Sequence, residues 1–343
     1  MSKMQIGVDL AKSVFEVAVS TVPGRVQERR RLSRAALTPF FAARPPAEVL
    51  LEACGSAHHW GRELQRLGHT VRLLPASDVA RYRDGNKTDR ADAKALLEAA
   101  RNEKISRVPV KSLEQQAVVA LHRLRQGYLQ TRTARINAVR GHLREFGCVI
   151  PVGAAQVVPR AYAALDQDAV PALLRPALHT VLEEIAALET RAEAVRTELI
   201  RLAAQMPDVQ LLLTVPGVGI LTATALVAFV GDIHRFRSGR DFAAYLGLTP
   251  REHSSGLARR LGGITKRGNS YVRMLLIHGA RSALQAGHGA AHPDDLRTWA
   301  LALQRRKGHN VAAVALANKL ARVCWRVWRD HRSFERRDTA EEV

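Results

Sequence analysis

A chain of 343 residues with 52 Lys and Arg against 32 Asp and Glu carries a net charge of +20 and a pI near 10.9. A hydrophobic content of 47% excludes a disordered polyelectrolyte, and the length gives room for two or three domains with sizeable cores. Such a basic excess calls for a polyanionic partner, either nucleic acid or an anionic membrane surface. The longest apolar run, about residues 217–231, is shorter than the roughly 20 residues that span a bilayer, which disfavours the membrane. Cys54, Cys148 and Cys324 are isolated and odd in number, which fits a reducing cytoplasm and excludes a cysteine-based zinc motif. There is no signal-peptide pattern and no Walker or dinucleotide glycine fingerprint. The composition therefore predicts a cytoplasmic, nucleoid-associated protein without membrane contact.

In chain order, strands are predicted over residues 4–9, 14–20 and 26–33, the third polar enough to be an exposed edge. A short helix over 35–44, a buried strand over 48–53, a helix over 57–67, a strand over 70–75 and a helix over 89–101 follow. Three strands and then alternating helices and strands make an α/β layer. Four acids stand at telling places in it. Asp9 closes the first strand and Glu52 the fourth, while Asp89 and Asp92, three apart, share one face of the last helix. Singly, each also reads as a turn, cap or dipole-facing residue. Jointly, they can converge on one point, where carboxylates suit a hard cation such as Mg²⁺. Two such ions about 4 Å apart can activate a nucleophile and stabilise a leaving oxygen in phosphoryl transfer. The layout resembles an RNase H-like (RuvC-like) nuclease domain. Arg81 to Lys87 precede the acidic helix as a basic loop suited to a phosphate backbone, and His58 and His59 read as helix-start surface.

From about residue 112 long helices take over. Apolar residues recur three or four apart from Leu113 to Phe146, and again over 177–206. Both resemble coiled-coil seams, and both also suit a helical hairpin packed on its own domain. A break is expected between them around Pro151, Pro159, Pro171 and Pro176. Residues 212–223, with Pro216-Gly217-Val218-Gly219, resemble a helix-hairpin-helix motif, in which Gly217 and Gly219 let backbone N–H groups approach a phosphate. A helix ending at Gly247 leads into a predicted loop from Arg251 to Asn269. Residues 251–273 hold six Lys or Arg and one Glu, a net of +5. Arg259, Arg260, Lys266, Arg267, Asn269 and Arg273 are therefore candidate phosphate ligands. A serine in this loop could be a nucleophile or an ordinary solvated turn residue. The chain is helical from Ser270, with a final helix over 311–332 whose Trp325 and Trp328 are expected to pack, and an acidic tail follows. The expected domains are 1–108, 109–206 and 207–335, with a tail at 336–343.

These motifs together resemble the transposases of insertion-sequence family one-hundred-ten, related to the Piv/MooV invertases, and the C-terminal half resembles their eleven-eleven subgroup most. The carriers are Gly7-Val8-Asp9, Leu51-Glu52-Ala53, Lys87 to Ala93, Pro216 to Gly219, Tyr245 to Pro250, Ser254-Ser255-Gly256 and Ile264 to Asn269. The resemblance implies a DEDD site of Asp9, Glu52, Asp89 and Asp92 that binds Mg²⁺. It also implies a nucleophilic serine at Ser255, with Ser254 adjacent, that forms a phosphoserine link to DNA. A tetramer with composite sites, and a bridge RNA pairing with donor and target DNA, are further implications. Rival expectations are a metal-dependent junction nuclease in which water attacks, and a non-catalytic nucleic-acid-binding protein.

Overall fold

The computed structural model describes residues 4–22, 25–83, 88–166, 170–256, 258–288 and 294–335. The chain forms two compact units, Met1–Glu114 and Gln115–Val343.

The first unit is built on a five-stranded sheet of β1 (Gln5–Leu10), β2 (Val14–Ser20), β3 (Glu28–Ser33), β4 (Glu48–Glu52) and β5 (Thr70–Leu74). The order is β3-β2-β1-β4-β5. β1 to β3 are antiparallel, while β1, β4 and β5 are parallel. The basic β3 lies at the edge, as its polarity predicts. Helices α1 (Arg34–Ala42), α2 (Ala57–Arg66), α3 (Ala76–Val79) and α4 (Asp89–Ala100) complete it. Each sheet face has its own core. Ile6, Val8, Val49 and Leu51 pack with Phe15, Phe41 and Trp60 on one side, and Ala18 and Leu50 pack with Leu96 and Ala99 of α4 on the other.

Among its described residues, the second unit's regular structure is helical except for one hairpin. α5 (Leu113–Glu145), which begins at the boundary, pairs with α7 (Arg175–Ala203). Ile136, Val139 and Leu143 pack with Leu178, Leu182 and Ile185, and Val118 and Val119 with Leu199. This makes an antiparallel pair within one chain. Ion pairs Arg132–Glu189 and Arg135–Glu184, both 2.7 Å, link the two helices. The proline-rich break holds a further helix, α6 (Val157–Leu165). Pro159 falls in its first turn, where no intrahelical N–H bond is lost. Then come α8 (Pro207–Leu213), α9 (Ile220–Val230), α10 (Gly239–Tyr245), strands β6 (Pro250–Glu252) and β7 (Leu261–Ile264), α11 (Ser270–His288), α12 (Asp295–Lys307) and α13 (His309–Arg329). Their common core includes Leu226, Phe242, Leu276, Leu316 and Leu320, and Trp325 and Trp328 pack against it. Among the described residues, no helix is long and apolar enough to cross a membrane. The acidic tail lies outside the described residues.

Candidate active site

Strand alternation decides which side of the sheet each acid meets. Gly7 and Asp9 share the face that carries α4, as do Leu50 and Glu52. β1 and β4 run parallel with Val8 beside Leu51. Asp9 and Glu52 come next, at neighbouring carboxyl ends of parallel strands, where open α/β sheets bind their ligands. A Cβ on Gly7 would lie 2.5 Å from the Ala93 carbonyl oxygen, so α4 crosses this face at a separation that requires glycine. Thr88 caps α4, its hydroxyl accepting from the Ala91 N–H at 3.2 Å. Asp89 and Asp92 fill the first turn, where the helix macrodipole favours negative charge. Asp89 is exposed and Asp92 buried.

Asp9 registers their closeness. Its carboxyl is pushed up to about 6, by burial first and then by the charges of Asp92, Asp89, Glu52 and Glu16. Glu16, missed from sequence, stands opposite Asp9 in the antiparallel β1–β2 register. Its signal was its place two residues before Ala18 on the same strand face. Arg83, expected in a phosphate-facing loop, forms an ion pair from its Nε to the Asp92 carboxylate; residues 84–87 of that loop lie outside the described residues. Among the described residues, no group of three or more His, Cys, Asp or Glu is gathered closely enough to hold a metal ion. Like charges hold carboxylates apart, and Asp92 is turned toward Arg83. The donor set is nonetheless all carboxylate, which suits a hard divalent ion, and the charges of Asp92, Asp89, Glu52 and Glu16 that bear on Asp9 favour added positive charge there. The residues fit such an ion.

In the second unit, the segment from Arg251 to Asn269 contains a β-hairpin where the sequence predicts a loop. β6 and β7 are antiparallel, and the pairing continues outward through His253 N–H to the Arg260 carbonyl (2.9 Å) and reciprocal bonds between Ser255 and Ala258 (3.3 and 3.1 Å). The arms are almost wholly exposed, so no buried alternation betrays them; the backbone ladder holds them. Gly256, with φ +56°, opens the turn. The two serines differ. Ser254 Oγ donates to Glu252 Oε1 at 2.7 Å and accepts from the Arg260 N–H at 3.2 Å. Ser255 stands exposed at the tip. The Ser254 hydroxyl is the first cause holding the Glu252 carboxyl below its usual range, with Arg259 adding to it, which makes Glu252 a poor base toward Ser254.

Residues 6–147 match a family described as Transposase (DEDD_Tnp_IS110), and residues 209–293 match one described as Transposase IS116/IS110/IS902 family. A Pseudomonas aeruginosa protein named probable family 20 transposase is 44% identical over 329 residues, 95% of this chain and 96% of its own length. The transposase for insertion sequence element IS1111A of Coxiella burnetii is 40% identical over 93% of this chain and 88% of its own. The chain belongs to the IS110 family of transposases. A pilin gene-inverting protein of Moraxella lacunata is 30% identical over 128 residues, 37% of this chain and 38% of its own.

Membership makes this an insertion-sequence transposase, an enzyme that cuts and rejoins DNA, and its DEDD domain suggests dependence on a divalent metal. The phosphate-ligand candidates of this transposase divide into two groups. Arg259, Arg260, Lys266 and Arg267 are exposed cations on the hairpin and the turn after it. Asn269 and Arg273 serve the fold. Asn269 Oδ1 accepts from the N–H groups of Tyr271 and Val272 at the start of α11 (2.9 and 3.1 Å), and Arg273 Nη1 donates to the carbonyls of Leu246 and Arg267 (3.0 and 2.9 Å). Gly217 also has a packing task. A Cβ there would meet the Gly279 carbonyl oxygen at 2.6 Å, so the α8–α9 turn rests directly on the α11 backbone. Gly219, at the N-terminus of α9, has open space before it.

Proposed function

We propose that this IS110-family transposase exchanges DNA strands through a phosphoserine at Ser255, with the first unit acting as an RNase H-like (RuvC-like) domain. The observation that carries the proposal is the group of acids on the α4 face of the sheet, whose charges all bear on Asp9. Asp9, Glu52, Asp89 and Asp92 would hold Mg²⁺, which when bound would neutralise charge on the phosphate and lower the pKa of a hydroxyl. The Ser255 oxygen attacks phosphorus and its proton passes to a base; the bond to the leaving sugar oxygen breaks, and that oxygen takes a proton. A sugar hydroxyl of another strand then attacks the phosphoserine, which reseals DNA and frees Ser255, so no external energy source is needed. Ser254, engaged on both sides, braces the hairpin. Arg259, Arg260, Lys266 and Arg267 hold phosphates around the tip. The tetrad of one copy serves the serine of another in a tetramer, and a bridge RNA selects donor and target by base pairing. The lack of an obvious base-reading motif in so basic a chain favours this division of labour.

The test is a denaturing gel of protein with donor and target DNA, Mg²⁺ and the element's flanking non-coding RNA. Wild type gives a protein–DNA adduct, Ser255→Ala and Asp9→Asn give none, and Ser254→Ala retains it at reduced yield. Cleaved DNA without adduct, undiminished in Ser255→Ala, would mean that water is the nucleophile.

A further inference from the structure

We propose that a cleft between α10, the outer face of α13 and the segment 330–335 is a separate site for the phosphate backbone of duplex DNA. The cleft, about 1020 Å³, is lined by Arg240, Lys319, Arg322, Arg326 and Arg332. Its geometry is set by backbone packing. A Cβ on Gly239 would be 3.1 Å from Arg322 Cα, so α10 begins directly against α13 and brings Arg240 beside Arg322.

The charges in the cleft do not balance. Arg326 pairs with Asp330 and Arg332 with Glu335, both at 3.3 Å. Arg240, Lys319 and Arg322 have no carboxylate within ion-pair reach among the described residues. Burial, followed by the Arg322 charge, lowers the Lys319 pKa, and Asp295 only partly opposes them. Cations crowded in this way gain from an anion between them. Lys319, Arg322 and Arg326 stand three and four apart, on one face of α13. Seven residues rise about 10.5 Å along a helix, close to three axial rises of about 3.4 Å for a duplex lying parallel to α13.

The aromatic residues here favour a duplex over a single strand, which binds by stacking its bases on exposed rings. Trp325 packs against the helical core with its Nε1 buried, and Lys319 lies 4.0 Å over the Trp299 ring. Trp325 and Phe334 both line the cleft, but each packs against the helical core and Arg329 covers the Trp325 ring at 4.8 Å, so the rings here are already engaged, while Arg240, Lys319 and Arg322 keep no carboxylate partner among the described residues. The site is independent of the strand-exchange chemistry proposed for Ser255.

The test uses the full chain and fluorescence anisotropy with labelled duplex DNA across a salt series. In the variant carrying Arg240→Gln, Lys319→Gln and Arg322→Gln, affinity falls on the order of 100-fold at about 0.1 M salt, and the slope of log K against log salt becomes shallower by about 2.7, since each lost phosphate contact removes about 0.9. The variant carrying Arg240→Lys and Arg322→Lys keeps the wild-type slope. Removing equal charge from α7, by Arg191→Gln, Arg196→Gln and Arg201→Gln, leaves it nearly unchanged. An unaltered slope in the first variant would overturn the proposal. So would an equal loss in the lysine variant, which would mean a packing role, or in the α7 variant, which would mean diffuse attraction. Weakened binding of RNA of the same sequence, with duplex DNA unaffected, would overturn it as well.

Discussion

Asp9 is held in an environment that resists its ionisation. Between about pH 4 and 6 the folded protein keeps a proton there that the unfolded chain has released, so this residue's contribution to stability falls as pH rises through that window. Without divalent metal, Asp9→Asn therefore raises the melting temperature at about pH 8 by roughly 2–4 °C and leaves it unchanged near pH 3.5, as differential scanning fluorimetry would read. Adding Mn²⁺ reverses the order, because only the wild type gains stability from binding. Arg83 is the opposing charge. Arg83→Gln leaves Asp92 without its partner and increases the pull on a divalent cation, tightening Mn²⁺ binding about tenfold, near 1.4 kcal/mol, by titration calorimetry. Weaker binding in this variant would mean that Arg83 positions Asp92 for the metal.

At the scale of elements, the site depends on how closely α4 lies on the sheet. Gly7→Ala places a methyl group 2.5 Å from the Ala93 carbonyl oxygen, which lifts α4 and carries Asp89 and Asp92 with it. The expected loss is about 1–3 kcal/mol of stability, the usual scale of overpacking, together with weakened metal binding, both measurable by urea denaturation and Mn²⁺ titration. The main elements were legible in the sequence because burial writes itself as periodicity. Val49-Leu50-Leu51 and the seam of α7 have no exposed alternative. The hairpin was not legible, because Arg251, Arg260 and Leu261 are exposed and its order resides in backbone bonds. α6 was hidden by Pro159, which is harmless in a first helical turn. Of the candidate site, Asp9, Glu52, Asp89 and Asp92 were legible from strand ends and helix spacing. Glu16 and Arg83 were not, since their places depend on strand register and on a contact made across the fold.

At the scale of the whole molecule, the two units answer acid in opposite directions. In the second unit His122 is fully buried, its Nδ1 3.0 Å from the Tyr271 hydroxyl and its Nε2 3.0 Å from Thr224 Oγ1. Thr224 donates its proton to the Ile220 carbonyl at 2.6 Å, so it accepts from a protonated Nε2, and Tyr271 donates to Nδ1. Burial, with the Arg125 charge adding to it, lowers the His122 pKa to about 4. The unfolded chain takes up a proton that this fold refuses, so stability present above about pH 6.5 is lost as pH falls toward 4, by up to about 3 kcal/mol. Amide exchange on the full chain, corrected for intrinsic rate, therefore quickens in α9 and α11 between pH 7 and 5, while β1 and β4 become no less protected. His122→Leu abolishes that response, although the Tyr271 hydroxyl, which keeps its Arg125 partner, loses the acceptor for its own proton, at a cost of about 1–3 kcal/mol at every pH. An unchanged acid response in this variant would assign it to another group.

The hairpin that carries Ser254 and Ser255 also limits how this gene can drift. Neighbouring residues of an extended chain face opposite ways, so two serines that look like a duplication are not spares for each other. One codon gained or lost in either arm would slide the register and present the bracing serine where the exposed one belongs. Base substitutions should accumulate at the other positions of the arms, sparing Glu252, Ser254, Ser255, Arg259 and Arg260, whereas functional copies of the element should keep the spacing between Gly247 and Gly268 unchanged.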